Sequence, residues 1–240
     1  MKGIILAGGK GTRLRPLTKI TCKQLLPVYD RPMIYYPVQT LVSSGITDIL
    51  VIVAPDYAGQ FLHLLGSGKE FGAHFSYAIQ EEPRGLPEAF IIGEDFMDNE
   101  PVTMILGDNI FDTSFSPEIA NFTTGGLVFA KQVPDPQRFG VVEFDSHMRA
   151  VSFEEKPKDP KSQFAVVGLY IYDHHVVEYA KSLTPSARGE LEITDIHKLY
   201  LKHNQLKVST FTGLWEDAGT FDSLLAVSNY MAAKAKGEVR

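Results

Sequence analysis

The sequence predicts an α/β fold, with an open, mixed, Rossmann-like β-sheet flanked by helices. Strand-like and helix-like runs alternate through the first half of the 240 residues, and such alternation is typical of parallel strands joined by right-handed crossovers. From residue 126 to 172, strand-like runs follow one another closely, which predicts a β-rich, partly antiparallel insertion. No linker divides the two parts, so we predict a single domain over residues 1–240, with halves of about 1–110 and 111–240.

The first half begins with an apolar strand, Lys2–Leu6, that runs into a glycine-rich loop. A helix is predicted at Met33–Ser44 because Pro32 precedes it and Gly45 follows it. Pro37 inside that span implies a kink or a later start. The remaining elements predicted in this half are strands at Asp48–Val53, Phe75–Gln80 and Val102–Leu106 and helices at Tyr57–Leu65 and Pro87–Phe96.

The second half is predicted to be richer in strands than the first and to end in helices. The apolar, β-branched runs that predict strands are Gly126–Val133, Val141–Phe144, Ala150–Glu155, Phe164–Tyr172 and Lys207–Phe211. The predicted helices are Val176–Ser182, Ile193–Asn204 and Phe221–Lys236.

The composition of the chain disfavours several classes of protein and indicates the cell compartment. The chain has 23 Lys and Arg against 29 Asp and Glu, a net charge of −6, which disfavours a nucleic-acid-binding module. The single Cys22 excludes an internal disulfide and a cysteine-based zinc site, and fits a reducing cytoplasm. The apolar runs are shorter than the roughly 20 residues of a membrane span, and Ile4–Ala7 is too short for a signal peptide. We therefore expect a cytoplasmic protein that has neither nucleic acid nor a membrane as its partner.

Three glycines and two basic residues follow the first strand, in Gly8-Gly9-Lys10-Gly11-Thr12-Arg13-Leu14. The segment is not a Walker A loop, since Ile4 and Gly11 occupy the positions of its first glycine and its Ser or Thr. It is not a dinucleotide fingerprint either, since Leu14 occupies the position of the third glycine. Glycines nevertheless let backbone N–H groups approach an anion, and Arg13 can bind phosphate oxygens with two bonds. We therefore predict a phosphate site at the carboxyl end of the first strand, where open α/β sheets bind ligands.

This loop and several later blocks resemble the signature of the sugar-phosphate nucleotidylyltransferases. The blocks occur in family order from residue 3 to about 228. They comprise the loop with Pro16, Thr18, Lys23 and Pro27, then Leu106-Gly107-Asp108-Asn109, Arg138-Phe139-Gly140-Val141-Val142-Glu143-Phe144, Glu154-Glu155-Lys156-Pro157, Arg188-Gly189-Glu190-Leu191-Glu192-Ile193-Thr194-Asp195 and Trp215-Glu216-Asp217.

The resemblance implies a nucleotidyltransferase fold and a specific reaction. It is greatest to the branch of the family that transfers a thymidylyl group from dTTP to glucose 1-phosphate, giving dTDP-glucose and pyrophosphate. The product would serve dTDP-rhamnose and cell-surface polysaccharide biosynthesis, and the resemblance is compatible with a homo-oligomer. Longer members continue beyond the last helix in a tail that builds their regulatory site. We therefore expect dTDP-rhamnose to inhibit this protein only through its active site.

The resemblance also implies the residues that bind the nucleotide. Arg13 and Lys23 would bind its phosphates and, together with Lys156, act in catalysis. The amide of Gln80 can pair with the N3–H and a carbonyl of thymine or uracil, so cytosine is disfavoured. The complete implied set is Leu6, Gly8, Gly9, Gly11, Thr12, Arg13, Lys23, Gln80, Gly85 and Asp108.

A second implied set binds the sugar phosphate and a metal ion. Lys156 and Arg188 would bind the phosphate, and Pro157 predicts an extended backbone at Lys156. Asp108 and Asp217 would hold Mg²⁺ while phosphate and water oxygens complete its coordination. The implied sugar-phosphate set is Gly140, Glu155, Lys156, Val166, Tyr170 and Arg188.

Three other functions remain open on the residues alone. UDP-glucose synthesis is the nearest, since uracil presents the same edge to Gln80 as thymine does. A non-catalytic sugar-nucleotide-sensing subunit is disfavoured because Asp108 and Asp217 are both retained. An NAD-binding dehydrogenase is disfavoured by Leu14.

Overall fold

The computed structural model describes residues 1–239, and its core is one nine-stranded mixed sheet. The strands, in chain order, are β1 Lys2–Ala7, β2 Pro27–Val28, β3 Arg31–Pro32, β4 Asp48–Val53, β5 His74–Ile79, β6 Val102–Leu106, β7 Asn109–Phe111, β8 Gly126–Gln132, β9 Gly140–Phe144, β10 Ala150–Glu155, β11 Phe164–Tyr172, β12 Leu206–Thr210 and β13 Trp215–Asp217. The helices are α1 Tyr35–Ser43, α2 Ala58–Leu65, α3 Glu88–Ile92, α4 Glu94–Met97, α5 Ser116–Ala120, α6 His175–Ser182, α7 Ile193–Lys202 and α8 Phe221–Ala235.

The sheet combines a parallel and an antiparallel part. Strands β5, β4, β1 and β6 lie side by side and are parallel. Strand β11 pairs antiparallel with both β6 and β8, and β12 runs parallel to β8. The β9–β10 hairpin joins β11 through the pair Ala165 and Val141. The mixed sheet and its β-rich second part confirm the predicted fold class.

Apolar side chains cover both faces of the parallel strands, which explains their continuously apolar sequences. In β1, Ile4 belongs to a buried cluster that includes Phe90 of α3. The next residue, Ile5, belongs to a different cluster that includes Leu41 of α1. Because successive side chains of a strand point to opposite faces, helices must pack on both sides of the sheet.

Proline and glycine account for the way in which α1 and the α3–α4 pair differ from their predicted bounds, while α2, α6, α7 and α8 differ by only one or two residues at one end. α1 begins at Tyr35 rather than Met33, so Pro37 falls in the first turn, where no helical hydrogen bond needs its missing N–H. The predicted helix Pro87–Phe96 is divided into α3 and α4 at Gly93. A Cβ atom at Gly93 would lie 3.0 Å from both Ala89 O and Ile4 Cδ1. The chain therefore needs glycine where it passes close to β1.

Two short strands that the sequence did not predict bring distant segments together. β7 follows β6 after only two residues, and β13 lies just before α8. They pair antiparallel, with Asn109 opposite Asp217. Each strand has three residues, too few for a periodic pattern. Among the helices described for residues 1–239, none is long and apolar enough to cross a membrane.

Candidate active site

The crevice of the sheet lies between β1 and β6. These two strands are parallel neighbours in the sheet. The strands β4 and β5 lie on the other side of β1. The loops after β1 and β6 leave the sheet at the same carboxyl edge and flank one opening there. The glycine-rich loop follows β1 and Asp108 follows β6, so the predicted phosphate site and the predicted metal ligand share this opening.

Thr18 holds the glycine-rich loop in a defined conformation. Its hydroxyl donates a hydrogen bond of 2.7 Å to the carbonyl oxygen of Gly11. Gly11 has a φ of 58°, in the left-handed region that glycine adopts without a steric penalty. Thr12 opens the short helical turn that follows and is exposed. Gly11 lies against Thr18 and Lys23, so the loop is packed onto the lysine predicted to bind phosphate.

The β7–β13 pair places Asp217 beside Asp108. The backbone N–H of Ala218 donates to the carbonyl oxygen of Asp108 at 2.9 Å. Asn109 supports this arrangement with three hydrogen bonds: its Nδ2 donates to Asp108 Oδ1 at 3.1 Å, and its Oδ1 accepts from the indole N–H of Trp215 at 2.6 Å and from Gly168 N at 3.0 Å. Residues separated by more than a hundred positions thus form one carboxylate pair.

Lys23 is buried and forms an ion pair with Asp108. Burial alone would lower the pKa of Lys23 and raise that of Asp108, because both lose hydration. The charge attraction and the hydrogen bonds together outweigh this effect of burial, so the pKa of Lys23 is raised and that of Asp108 is lowered. Both groups are therefore charged at neutral pH.

Asp217 carries a buried carboxylate oxygen that lacks a partner. Among residues 1–239, nothing donates a hydrogen bond to its Oδ1, and its Oδ2 lies 3.9 Å from the guanidinium of Arg13. Burial first, and the negative charge of Asp108 second, raise the pKa of Asp217 to about 6. An unpartnered oxygen beside a second carboxylate is a position that favours a cation.

A cavity of about 190 Å³ contains most of the predicted nucleotide-binding residues. Gly8 adjoins it, since a Cβ atom there would collide with Gln80 Oε1. From the predicted set the cavity is lined by Leu6, Gly9, Lys23, Gln80, Gly85 and Asp108, and in addition by Gln24, Pro83, Leu86, Leu106 and Glu190.

Gln80 is a buried polar side chain that lines this cavity. It is 4% exposed and follows β5 directly. Its Nε2 donates to Glu88 Oε2 at 2.8 Å and approaches the carbonyl oxygen of Gly85 at 3.5 Å. Gly85 has a φ of 107° and forms a β-bridge with Leu191, whose N–H donates to Arg84 O at 2.8 Å. A side chain at position 85 would collide with the backbone of Leu191.

A second cavity, of about 470 Å³, contains five of the six predicted sugar-phosphate residues, all but Arg188. Arg13 lies here rather than in the smaller cavity, beside Asp217. Burial, and secondarily the charge of Glu155, raise the pKa of Tyr170, so its hydroxyl stays protonated. From the predicted sets the lining contains Arg13, Gly140, Glu155, Lys156, Val166, Tyr170 and Asp217.

Lys156 differs from its predicted backbone conformation. Its φ is 45°, so the expectation of an extended backbone before Pro157 was wrong. β10 ends at Glu155, the chain turns there, and Lys156 N donates to Phe139 O at 3.0 Å. This hydrogen bond holds the left-handed conformation, and the ammonium lies 3.5 Å from Glu155 Oε1.

Arg188 lies outside the second cavity but next to it. A neighbouring surface depression contains both Arg188 and Lys156. The Arg188 guanidinium binds the carboxylate of Glu192 through Nη2, at 2.9 and 2.8 Å from its two oxygens. Ser186 also donates to Glu192, at 2.7 Å. Two cations thus face one edge of the sugar-binding cavity.

Several lining residues carried no predicted role. Arg138, Phe139 and Thr194 belong to the sequence blocks that carried the resemblance. Their place in those blocks was the sequence signal for a role in the site. His197 carried none, because one histidine on an amphipathic helix is usually structural. It is fully buried, its Nε2 lies 2.6 Å from the Tyr172 hydroxyl, and burial lowers its pKa to about 3. The unassigned residues of this cavity are Leu86, Arg138, Phe139, Phe153, Ile193, Thr194 and His197.

Comparison with known proteins agrees with this geometry. The family model described as nucleotidyl transferase matches residues 2–234. The chain belongs to the nucleotidyl transferase family. Its similarity to curated family members is high: it is 54% identical over 237 residues to the glucose-1-phosphate thymidylyltransferase of Neisseria meningitidis serogroup A, covering 96% of this chain and 82% of that protein. It is 52% identical to the enzyme of the same name from Mycolicibacterium smegmatis, with the same two coverages.

Solved structures of nucleotidyl transferases share the fold. A Bacillus anthracis protein described as a glucose-1-phosphate thymidylyltransferase, in complex with a sucrose, superposes with a TM-score of 0.90 at 47% identity, covering 96% of this chain and 94% of that one. A UDP-glucose pyrophosphorylase in complex with UDP-glucose gives 0.84 at 25% identity, covering 97% and 98%. These likenesses confirm the resemblance and the fold class, and establish the chain as a nucleotidyltransferase.

Proposed function

We propose that this chain transfers a thymidylyl group from dTTP to glucose 1-phosphate, releasing pyrophosphate and forming dTDP-glucose. The observation that carries the proposal is the meeting of two cavities at one carboxylate pair. Asp108 lines the smaller cavity, and Asp217 lines the larger one. A reaction that joins a nucleotide to a second anionic substrate needs two adjoining sites with a charge-neutralising centre between them. The names of relatives at 54% and 52% identity specify the substrates.

The smaller cavity is proposed to hold the nucleotide. Gln80 and the backbone around Gly85 would contact the base, and the N–H groups of the glycine-rich loop would contact the phosphates. Lys23 is protonated and already buried at the cavity wall. Its ammonium group therefore loses little further hydration when it binds phosphate oxygens. These residues leave the α-phosphate near Asp108.

The larger cavity is proposed to hold glucose 1-phosphate. Glu155 would accept hydrogen bonds from sugar hydroxyls, and Gly140 leaves room for the ring beside Val166 and Tyr170. Lys156 would bind the phosphate together with Arg188, since both line the surface depression beside the cavity. Two cations are suited to a dianionic phosphate.

The carboxylate pair fits Mg²⁺. The buried, unpartnered Oδ1 of Asp217 and the neighbouring carboxylate of Asp108 supply the hard oxygen ligands that this ion prefers. No group of three Asp, Glu, His or Cys side chains suited to a metal occurs among residues 1–239, so substrate phosphates and water would complete the coordination. When bound, the ion would neutralise charge on the phosphates.

The chemistry then follows from placement. A phosphate oxygen of glucose 1-phosphate attacks the α-phosphorus of dTTP in line, one P–O bond forms, and the P–O bond to pyrophosphate breaks. Lys23 and Arg13 face the phosphates and offset the charge that develops on them. No proton must be removed from the nucleophile, because it is already an anion. We place the reaction in the cytoplasm, supplying dTDP-deoxysugar and polysaccharide synthesis.

The first prediction tests the reaction and the carboxylate pair together. The protein should release pyrophosphate from dTTP and glucose 1-phosphate with Mg²⁺ and not with excess EDTA. Asp108→Asn and Asp217→Asn should each lower kcat at least about a hundredfold, because a metal ligand lost from a phosphoryl-transfer site removes several kcal/mol of transition-state stabilisation. Pyrophosphate release measured with dTTP, UTP and dCTP in turn checks the rate and the base preference.

The matched control is Asp95→Asn, an exposed carboxylate of α4. It should keep wild-type activity. Thermal unfolding of each variant distinguishes lost chemistry from lost folding. Wild-type rates in both Asp108→Asn and Asp217→Asn would contradict the metal assignment, and a faster reaction with UTP than with dTTP would contradict the proposed substrate.

A further inference from the structure

The side-chain amide of Gln80 has an acceptor end and a donor end, and each end can pair with a different group of a base. The oxygen Oε1 only accepts hydrogen bonds and the nitrogen Nε2 only donates them. A 180° rotation of the amide exchanges these ends at almost no steric cost. Thymine and uracil present an N3–H donor beside a carbonyl acceptor, whereas cytosine presents the reverse order. The orientation of one amide therefore decides which pyrimidine the cavity accepts.

The surroundings of Gln80 fix that orientation. Glu88 Oε2 lies 2.8 Å from Nε2, and the carbonyl oxygen of Gly85 lies 3.5 Å from the same nitrogen. A carboxylate and a carbonyl can only accept, so both require the NH₂ end of the amide. Rotation would place Oε1 against the Glu88 carboxylate and create repulsion between two acceptors.

The opposite end of the amide is free for a ligand. Oε1 lies against Gly8, at the position a Cβ atom would fill. Among residues 1–239 it accepts no hydrogen bond, and Gln80 lines the nucleotide cavity while being 4% exposed. The cavity therefore presents an acceptor in a place that water reaches poorly.

We infer that Glu88 is the positioning residue for base specificity. It does not line the cavity, and it holds the Gln80 amide so that Oε1 faces the N3–H of thymine or uracil. The N3 atom of cytosine carries no hydrogen, so it would meet Oε1 as acceptor against acceptor. This inference rests on the proposed function, since it assumes that the cavity holds a pyrimidine.

Glu88 also begins α3, and this gives a competing structural role. A carboxylate in the first turn of a helix favours the helix dipole. Loss of that effect would weaken all nucleotides alike, because it does not depend on the base. The ratio of kcat/KM for two nucleotides that differ only in their base distinguishes the two roles. A rate measured with one nucleotide alone does not.

The experiment measures kcat/KM for dTTP and for dCTP, at saturating glucose 1-phosphate, in wild type and Glu88→Ala. The ratio of dTTP to dCTP should fall about tenfold or more in Glu88→Ala, through a higher KM for dTTP and a gain with dCTP. Glu88→Gln, which keeps an acceptor oxygen, should restore much of the ratio. Glu94→Ala, an exposed carboxylate paired with Lys181 at 2.6 Å, is the control and should keep the wild-type ratio.

A fall in kcat/KM by the same factor for both nucleotides in Glu88→Ala would overturn the inference and leave only a helix-terminal role. If Glu88→Ala does not fold, Glu88→Met removes the acceptor and keeps the length of the side chain. If wild type releases no pyrophosphate, the proposed function fails, and the inference is then judged by calorimetric titration with dTMP and dCMP. An unchanged ratio of affinities in that titration would overturn it.

Discussion

Lys156 and Glu155 form a charge pair at the end of β10 that faces the sugar-binding cavity. The ammonium lies 3.5 Å from a Glu155 oxygen, and its side chain is 54% exposed. It is therefore free to turn toward an incoming phosphate. The backbone of Lys156 is in the left-handed region and its N–H donates to Phe139 O. This hydrogen bond fixes the point at the end of β10 from which the side chain extends.

The second prediction concerns this lysine. Lys156→Ala should raise KM for glucose 1-phosphate about tenfold to a hundredfold and change KM for dTTP little, because one charge-assisted hydrogen bond to phosphate is lost. Initial-rate kinetics with each substrate varied in turn measure both values. Lys161→Ala is the control, since Lys161 pairs with Glu154 at 2.8 Å in the same loop. An equal rise in both KM values would show that Lys156 does not belong to the sugar phosphate.

At the scale of residues, the sequence predicted which side chains converge but not how they are held. The resemblance implied roles for Lys23, Asp108, Asp217 and Gln80, and each of them lines one of the two cavities. The ion pair between Lys23 and Asp108 has no signature in the chain, because it depends on a turn 85 residues away. Glu88 was missed because its contact with Gln80 crosses from a strand end to a helix start.

At the scale of elements, Asn109 joins three strands at the active site. It begins β7, its Oδ1 accepts from Gly168 in β11 and from Trp215 in β13, and it is 3% exposed. Every one of these bonds is buried, so a substitution would leave donors without acceptors. The carboxylate pair therefore depends on a residue that carries no charge.

The third prediction follows from this junction. Asn109→Ala should lower the free energy of unfolding by about 3 kcal/mol or more, since two buried N–H donors lose their acceptor at about 1–3 kcal/mol each. Urea denaturation measures the change. Asn121→Ala is the control, because that exposed side chain only donates to Pro117 O at 2.8 Å, and it should cost less than about 1 kcal/mol. Equal costs for the two variants would contradict the role of Asn109.

Long elements were predictable and short ones were not. β4 and β11 have their predicted bounds, because continuous apolar runs rich in β-branched and aromatic residues are typical of strands buried on both faces. α8 ends one residue early, at Ala235, followed by Gly237 with a φ of 74°. β7 and β13 have three residues each, and their pairing arises from the tertiary fold. The part of the site that depends on them could not be derived from local sequence.

At the scale of the whole molecule, stability couples to pH through buried titratable groups. His197 is neutral in the folded state because burial lowers its pKa to about 3, while an unfolded histidine titrates near 6.5. The unfolded chain thus binds a proton that the folded chain excludes. The stability that depends on neutral His197 is complete above about pH 6.5 and is lost progressively as the pH falls toward 3.

The fourth prediction compares how the free energy of unfolding changes with pH in wild type and in His197→Asn. From pH 7 to pH 5, wild type should lose about 2 kcal/mol more of its free energy of unfolding than His197→Asn. The comparison cancels other groups that titrate in the interval, including Asp217, whose raised pKa acts in the opposite direction. Urea denaturation at both pH values provides the measurement. Parallel losses in the two proteins would show that His197 takes up a proton without unfolding.

The bridge between Gly85 and Leu191 joins a loop of the proposed nucleotide site to the segment that follows Arg188. One side of the bridge belongs to the loop proposed to contact the base, and the other lies three residues from Arg188. A molecule that spans both loops orders them together, and each loop then strengthens the hold of the other. A nucleotide sugar held in the two proposed sites would contact both loops, so its release would require the two loops to separate together.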